Sequence, residues 1–485
     1  MITLGIDLGT SGVKVLLLDG ERSVATTSAP LTVQRPRPGW SEQHPEDWWL
    51  ATQHCLDALQ SAQPRAFRAV QAIGLAGQMH GATLLDNAGA LLRPCILWDD
   101  GRSVAQCAEL EHRVPALHSI TGNRAMPGFT APKLLWVREH EADIFRRIDK
   151  VLLPKAWLRW RLSGEFVDEM SDASGTLWLD VAQRRWSAPL LDACGLHEAQ
   201  MPRLVEGSAA WGELRDEWVQ RWGFARAPVL AGGAGDNAAG AAGVGAVNPG
   251  DAFVSLGTSG VLWATTAGFA PAADHAVHAF CHALPATWHQ MGVLLSAASS
   301  LGWWSRITGL SEEALLAELG SAPTKPAACW FAPYLSGERT PHNDATVRAG
   351  FLRLSANTER AQMTQAVLEG VAFAFADARA ALASAGTRLT QADLIGGGAR
   401  SPLWSQLLAD VLGLTLHRVA GSEHGCALGA ARLAAAALSG HNHFPKPSRV
   451  RSFEPRADAA AQYRDAHARW QSLYALARSA PALVA

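Results

Sequence analysis

The stretch Asp7-Leu8-Gly9-Thr10-Ser11-Gly12-Val13-Lys14 follows an apolar, strand-like run, and a similar stretch, Ser255-Leu256-Gly257-Thr258-Ser259-Gly260, follows another such run in the second half of the chain. Small residues let backbone N–H groups approach an oxyanion, and hydroxyls lie beside them. One such turn alone is typical of a hairpin. Two copies predict two similar half-molecules whose loops hold the phosphates of one nucleotide. Asp7 opens the first loop, where a phosphate-bound cation would sit.

Composition predicts an ordinary globular protein. The chain has 485 residues, of which 48% are hydrophobic and 18% charged, enough for large cores in about two or three domains. A net charge of −2 predicts no nucleic-acid partner. Apolar runs end before the ~18 residues of a membrane span, and the N-terminus lacks signal-peptide features. Seven cysteines without a C-x-x-C motif predict reduced thiols. We therefore expect a cytoplasmic protein without a membrane partner; a homodimer is compatible with the sequence.

The order of predicted elements indicates an α/β protein with two halves. Residues 2–33 predict three strands joined by turns, which differs from a Rossmann opening with its Gly-x-Gly-x-x-Gly turn into a helix. Residues 46–62 and 455–478 predict helices. The turn cluster Asn248-Pro249-Gly250 is the candidate boundary. It gives an N-terminal domain of residues 1–247 and a C-terminal domain of residues 248–485.

Asp236 is the candidate catalytic carboxylate. It lies in the turn Gly235-Asp236-Asn237, between a buried-looking strand and a Gly/Ala-rich helix. A carboxylate there can take a proton from a hydroxyl across a cleft, and the helix N-terminus can hold nearby anionic charge. From the local sequence alone, Asp236 can equally be an N-cap residue and Asp7 a turn residue.

Several further segments complete a known pattern. They are Gly128–Trp136, Ala349–Glu369, Gly396–Ser401 and Gly425–Ala430. With them, the chain resembles the FGGY carbohydrate kinases of the sugar kinase/actin/heat-shock ATPase superfamily from residue 2 to about residue 475. The resemblance implies two actin-like (ribonuclease H-like) α/β domains with a cleft between them. Arg353 departs from the pattern, because the family usually has Gly there, which puts a local turn in doubt.

Three segments narrow the resemblance to the sugar. Gln78–Gly81, Trp98–Arg102 and Gly235–Gly240 are similar to those of family members that phosphorylate D-xylulose. The resemblance implies ATP-dependent conversion of D-xylulose to D-xylulose 5-phosphate in xylose catabolism, with Asp236 as general base. Asp99 stands where those members commonly carry Asn. Taken by themselves, His80 and Trp98 are more typical of structural positions than of a sugar site.

The resemblance also assigns the remaining site residues, with ATP and Mg²⁺ as cofactors. The catalytic and metal-binding residues are Asp7 and Asp236. The sugar-binding residues are Met79, His80, Trp98, Asp99, Arg102, Asp236 and Asn237. The nucleotide-binding residues are Gly9, Thr10, Ser11, Lys14, Gly257, Thr258, Ser259, Gly397, Gly398 and Ala399.

Three alternatives stay open at this level. The first is a related kinase for glycerol, ribulose or another polyol. The second is an actin-like or chaperone-type ATPase that uses the same phosphate loops for mechanical switching, although the chain has no peptide-binding β domain after the ATPase core. The third is a binding-only pseudokinase, which the presence of both Asp7 and Asp236 disfavours.

Overall fold

The computed structural model describes residues 1–421 and 424–479. Its strands are β1 (Ile2–Leu8), β2 (Gly12–Asp19), β3 (Arg22–Pro30), β4 (Glu42–Gln43), β5 (Ala72–Gly77), β6 (Thr83–Leu85), β7 (Cys95–Ile96), β8 (Lys150–Leu152), β9 (Val167–Glu169), β10 (Leu179–Asp180), β11 (Arg185–Trp186), β12 (Arg203–Val205), β13 (Ala210–Glu213), β14 (Val229–Ala231), β15 (Ala234–Gly235), β16 (Ala252–Leu256), β17 (Gly260–Thr266), β18 (His278–Cys281), β19 (Trp288–Leu294), β20 (Trp330–Ala332), β21 (Gly350–Leu352), β22 (Gln391–Ile395), β23 (Thr415–Val419) and β24 (Arg449–Phe453).

The helices lie between and around these strands. They are α1 (Pro45–Ala62), α2 (Pro64–Arg68), α3 (Val104–Arg113), α4 (Leu117–Thr121), α5 (Thr130–His140), α6 (Ala142–Arg146), α7 (Pro154–Ser163), α8 (Met170–Ser174), α9 (Ala188–Cys194), α10 (Asp216–Trp222), α11 (Asp236–Gly243), α12 (Ala298–Thr308), α13 (Glu312–Ala317), α14 (Arg360–Ser384), α15 (Pro402–Leu412), α16 (Gly425–Ser439), α17 (Ala457–Trp470) and α18 (Ser472–Ser479). The predicted helix 455–478 is therefore two helices, α17 and α18. No helix in the described part of the chain is long and apolar enough to cross a membrane.

Two seven-stranded sheets with the same plan organise the molecule. The first has the order β13-β14-β5-β1-β2-β3, with β15 also on β5, and the second has the order β18-β19-β17-β16-β22-β23-β24. In the first sheet β1 pairs antiparallel with β2 and parallel with β5. In the second, β16 pairs antiparallel with β17 and parallel with β22. The repeat confirms the predicted pair of similar half-molecules. Each predicted phosphate loop lies between the first two strands of its half.

Helix α16 joins the two halves, because it lies between β23 and β24 of the second sheet in the chain but packs on the first sheet. A Cβ on Gly5 of β1 would lie 1.9 Å from the carbonyl oxygen of Ala427 in α16. A Cβ on Gly429 would lie 1.8 Å from the carbonyl oxygen of Ala239 in α11. Only glycine allows these backbones to approach so closely. The division at residues 247/248 remains a prediction, while in space α16 returns to the first half.

Arg353 adopts the left-handed backbone conformation that favours glycine. Its φ is 63°, in the left-handed region, and its guanidinium carbon lies 4.8 Å from the centre of the Trp330 ring. The turn is therefore formed despite the side chain. The cost of a left-handed non-glycine residue is roughly 1–2 kcal/mol.

Candidate active site

Asp7 and Asp236 lie at the carboxyl ends of strands on either side of β5. Asp7 of β1 is opposite Ala76, and Gly235 of β15, which precedes Asp236, is opposite Gly77. Burial raises the pKa of each carboxyl group to about 6, and the charge of Asp7 adds to the rise at Asp236. The fold therefore brings the two predicted catalytic carboxylates together in a site that disfavours their charge.

One oxygen of Asp236 is fixed and the other is available. Oδ1 accepts a hydrogen bond from the backbone N–H of Asn237 at 2.6 Å and another from its side-chain amide at 2.8 Å. Among the described residues, Oδ2 has no hydrogen-bond donor. Asp236 is the first residue of α11, with Gly235 as the N-cap. Asn237, predicted to bind sugar, thus also orients the carboxylate.

The first phosphate loop is a tight turn in which Thr10 is hydrogen-bonded to the side chains of two glutamines. The N–H of Gly9 donates to the carbonyl of Gly12 at 3.0 Å. Thr10 Oγ1 donates to Gln78 Oε1 at 2.9 Å, and Gln43 Nε2 donates to the Thr10 carbonyl at 2.7 Å. Gln78 Nε2 in turn donates to Gln43 Oε1 at 3.0 Å. Ser11 at the tip stays exposed. The loop is therefore preorganised for a ligand.

Lys14 and Trp98 also belong to this loop. Lys14 is opposite Asp7 in the β1–β2 register, and its charge partly offsets the rise in the pKa of Asp7. Trp98 Nε1 donates to Thr10 Oγ1 at 2.9 Å. The indole predicted to face the sugar thus contacts the first phosphate loop. A direct sugar contact from Trp98 remains a prediction.

The second phosphate loop packs against the predicted adenosine motif. Thr258 and Ser259 are exposed at its tip. A Cβ on Gly396, whose φ is 95°, would lie 2.7 Å from the carbonyl oxygen of Leu256. Directly after Gly396, residues Gly397–Arg400, which include Gly398 and Ala399, form a 3₁₀ turn. The predicted nucleotide residues of the second half are therefore neighbours.

Met79 lies beside the turn Gly235–Asn237, and His80 follows it in the chain. Met79 packs on Gly235, since a Cβ there would lie 3.0 Å from its sulfur. His80 has a φ of 70°, and its Nδ1 lies 2.7 Å from the carbonyl oxygen of Gly175. A carbonyl only accepts, so Nδ1 carries the proton. Burial lowers the pKa of His80 to about 3, which keeps the ring neutral and leaves Nε2 as an acceptor.

A buried lysine fixes the backbone of His80. Lys133 Nζ donates to the carbonyls of His80 at 2.9 Å and of Gly128 at 2.8 Å, and Thr130 Oγ1 also donates to His80 at 3.1 Å. Burial lowers the pKa of Lys133 to about 7. Sequence reasoning gave this lysine no role, although it lies inside the segment 128–136 that carried the family resemblance.

Asp99 and Arg102 are engaged with other residues. Asp99 Oδ2 accepts from Arg35 Nη2 at 2.8 Å, which gives the aspartate an ion pair that asparagine would not form. Arg102 binds Asp100 through Nε at 2.9 Å and Nη2 at 2.7 Å, and its guanidinium covers the Trp40 ring at 3.7 Å. Only 1% of the Arg102 side chain is exposed. Arg102 thus stabilises the loop of residues 98–102 through Asp100. Sugar binding by Asp99 or Arg102 remains a prediction.

A buried charge cluster supports the turn Gly235–Asn237. Lys155 Nζ lies 2.6 Å from Asp168 Oδ1, 3.7 Å from Glu169 Oε1 and 3.5 Å from Asp172 Oδ2. Glu169 Oε1 accepts the N–H of Gly235 at 3.1 Å. The three carboxylates could in principle hold a metal ion, but the Lys155 ammonium already supplies positive charge there. Sequence reasoning missed this cluster.

Comparisons with known proteins agree with this geometry. The N-terminal domain model of the FGGY family of carbohydrate kinases matches residues 2–243, and the C-terminal domain model matches residues 252–438. The xylulose kinase of Escherichia coli K12 is 51% identical over 471 residues, covering 94% of this chain and 97% of that protein. The xylulose kinase of Klebsiella pneumoniae is 51% identical over 446 residues, covering 92% and 91%.

A solved structure gives the same result for the fold. The crystal structure of a kinase from Brucella ovis, named xyloylose kinase, superposes with a TM-score of 0.96 at 51% identity, covering 99% of this chain and 100% of that one. These findings agree: two domain models together span most of the chain, two relatives are 51% identical to it, and a solved structure shares its fold. The chain belongs to the FGGY family of carbohydrate kinases.

Proposed function

We propose that the protein transfers the γ-phosphoryl group of ATP to the terminal primary hydroxyl of D-xylulose, giving D-xylulose 5-phosphate and ADP. The observation that carries the proposal is that Asp236, Met79 and Asp7 lie together where β1, β5 and β15 of the first sheet end. His80 follows Met79 in the chain, and the first phosphate loop follows β1. The similarity to two xylulose kinases supports the choice of sugar.

Asp236 is the general base of the proposed reaction. Its Oδ2 takes the proton of the attacking hydroxyl as the new O–P bond forms, while Asn237 holds Oδ1. Because burial raises the pKa of Asp236 to about 6, the carboxylate is a stronger base than an exposed aspartate and is still mostly ionised at pH 7.

Mg²⁺ fits the donor set at the first phosphate loop. Asp7 and Asp236 supply carboxylate oxygens, the ligands that this hard cation prefers, and their raised pKa values mark a place where added positive charge is favourable. When bound with ATP, the ion would neutralise charge on the phosphates. Lys14 and the backbone N–H groups of Thr10 and Ser11 would bind the phosphates from the same side.

The sugar and the nucleotide would contact different residues. His80 Nε2 would accept a hydrogen bond from a sugar hydroxyl, and the Met79 side chain would pack along the carbon chain. In the second half, Gly257, Thr258 and Ser259 would hold phosphates, and the turn Gly397–Ala399 would lie against the adenosine. We further propose that the enzyme acts in the cytoplasm, that the halves close on ligands and that it can form a homodimer.

A coupled ATP-consumption assay tests the function. With D-xylulose, D-ribulose, L-ribulose and glycerol as acceptors, kcat/KM should be at least ~10-fold higher for D-xylulose than for either ribulose, and higher still over glycerol. The variant Asp236→Ala is the negative control, with kcat lowered roughly 10²–10⁴-fold. Preference for ribulose or glycerol would overturn the choice of sugar, and an unimpaired Asp236→Ala would overturn the mechanism.

A further inference from the structure

The segment around Arg339 in the second half is held firmly by its neighbours. Glu338 is buried, and its Oε1 accepts the N–H groups of Leu295 at 2.9 Å and of Arg339 at 2.8 Å. On the other side, Thr340 is fully buried, and its N–H donates to the carbonyl of Val293 at 3.0 Å. The backbone of Arg339 is therefore fixed to the end of β19 on both sides.

The guanidinium of Arg339 lies against the sugar side of the first half. Its Nη2 would be 3.9 Å from a Cβ on Gly128, the residue whose carbonyl Lys133 holds. The positive charge of Arg339 also contributes to the lowered pKa of His80 and of His278. Arg339 thus reaches from the second half towards the loop that contains His80.

This guanidinium has no acceptor of its own. Within residues 1–421 and 424–479, no carboxylate forms an ion pair with Arg339, and no side chain or carbonyl accepts a hydrogen bond from its guanidinium. Glu338, its neighbour in sequence, directs Oε1 at backbone N–H groups instead. Burial lowers the pKa of Arg339. Because Arg339 is partly exposed, its unpaired N–H groups are open to a ligand that supplies acceptors.

A ketose can supply both the oxygen acceptors for Arg339 and the hydroxyl donor for His80. His80 Nε2 is an acceptor and needs a hydroxyl donor, whereas the Arg339 N–H groups need oxygen acceptors, which a ketose has in its carbonyl and hydroxyl oxygens. The nucleotide loops carry their own donors elsewhere in the cleft. We infer that Arg339 is a sugar-binding residue contributed by the second half, donating to oxygen atoms of the ketose opposite His80. This inference rests on the proposed function.

The consequence is a sugar site shared between the halves. His80 and Met79 come from the first half, and Arg339 comes from the second. Sugar binding would then hold the halves together before phosphoryl transfer, and a sugar whose oxygens do not reach Arg339 would lose affinity. A planar guanidinium has fixed donor directions, so lysine should replace it only in part.

Calorimetry on the full chain tests the inference. Arg339→Met removes the donors, Arg339→Lys keeps the charge, and Arg348→Met is the control, because Arg348 is exposed and bonds only to nearby carbonyls. The Kd for D-xylulose should rise roughly 10–100-fold in Arg339→Met and less in Arg339→Lys, as expected for a hydrogen bond to a charged donor. The KM for ATP should stay within about 3-fold, and Arg348→Met should match the wild type.

The outcomes separate the two proposals. Thermal unfolding should show both Arg339 variants folded, because no intramolecular partner of the guanidinium is lost. If both bind D-xylulose within about 3-fold of the wild type, Arg339 is not a sugar ligand. A rise in the KM for ATP with unchanged sugar affinity overturns it too. If the wild type itself fails to bind D-xylulose, the proposed function is wrong.

Discussion

Asp236→Asn should stabilise the free protein above neutral pH while abolishing most of its activity. Asparagine keeps the Oδ1 acceptor for Asn237 but removes the charge that burial and Asp7 disfavour. In the wild type, the pKa of Asp236 rises from an ordinary 3.8 to about 6 on folding. The folded state therefore binds this proton more tightly than the unfolded state does, and stability falls as pH increases from about 4 to about 6.

The size of the effect follows from that rise. Folding with Asp236 ionised costs at most about 3 kcal/mol above pH 7, and little of this cost is present at pH 4. The advantage of Asp236→Asn should therefore grow by about 2 kcal/mol between pH 4.5 and pH 8. Such a cost is the usual consequence of placing a charged group where catalysis needs it.

Isothermal denaturant unfolding of the ligand-free full chain at both pH values measures this difference. Asp216→Asn is the matched control, because Asp216 also begins a helix but is exposed. The reasoning would be refuted if the advantage of Asp236→Asn were the same at both pH values, or if the variant were less stable than the wild type at pH 8. Either result would mean that burial does not strain this carboxylate.

Four other changes test separate parts of the site. Asp7→Asn should lower kcat at least ~10²-fold, with the Kd for D-xylulose, measured by calorimetry, within about 3-fold of the wild type; a large loss of sugar affinity would contradict its place in phosphoryl transfer. The kcat/KM for the sugar should rise with pH through about 6 as Asp236 ionises, and a flat pH–rate profile would exclude it as the base. Lys155→Met should cost about 3–5 kcal/mol in denaturant unfolding, because it leaves buried carboxylates without their cation; an unchanged midpoint would mean that the carboxylates hold protons instead. Arg353→Gly should leave the free energy of unfolding nearly unchanged, because the loss of the Trp330 contact is offset by relief of the left-handed backbone cost. Arg353→Ala should lower it by about 1 kcal/mol, because alanine keeps that cost and loses the contact. Equal stabilities of the two variants would argue against backbone strain.

The sequence allowed prediction of the parts that depend on local pattern. The predicted loop falls at residues 9–11, directly after β1, and the turn at Gly235–Asn237 opens α11, because strand alternation and small residues act over a few positions. The predicted helix at 46–62 is α1, Pro45–Ala62. The pairing of two halves could be predicted because the same short pattern occurs twice.

The parts that could not be predicted depend on contacts between distant segments. Gln43 reaches Gln78 across 35 positions, and Lys155 meets Glu169 only because α7 packs against β9. No periodicity in the chain records such contacts. Trp98 makes a contact that the motif did not indicate, because its Nε1 donates to Thr10, while its contact with the sugar stays a prediction. No pattern in the sequence pointed to Arg339, because its inferred sugar-binding role rests on a guanidinium that has no acceptor among the described residues.

The packing of α16 on the first sheet has a consequence for how the chain folds during synthesis. The strands β1 and β5 lie near the start of the chain, yet the helix that covers their glycine-lined face spans residues 425–439. A nascent chain that has reached residue 247 therefore carries an uncovered sheet face, and domains of large proteins usually fold as units when their cores are complete. We expect the first half to finish folding only after almost the whole chain has left the ribosome, and a fragment of residues 1–247 to aggregate when expressed alone.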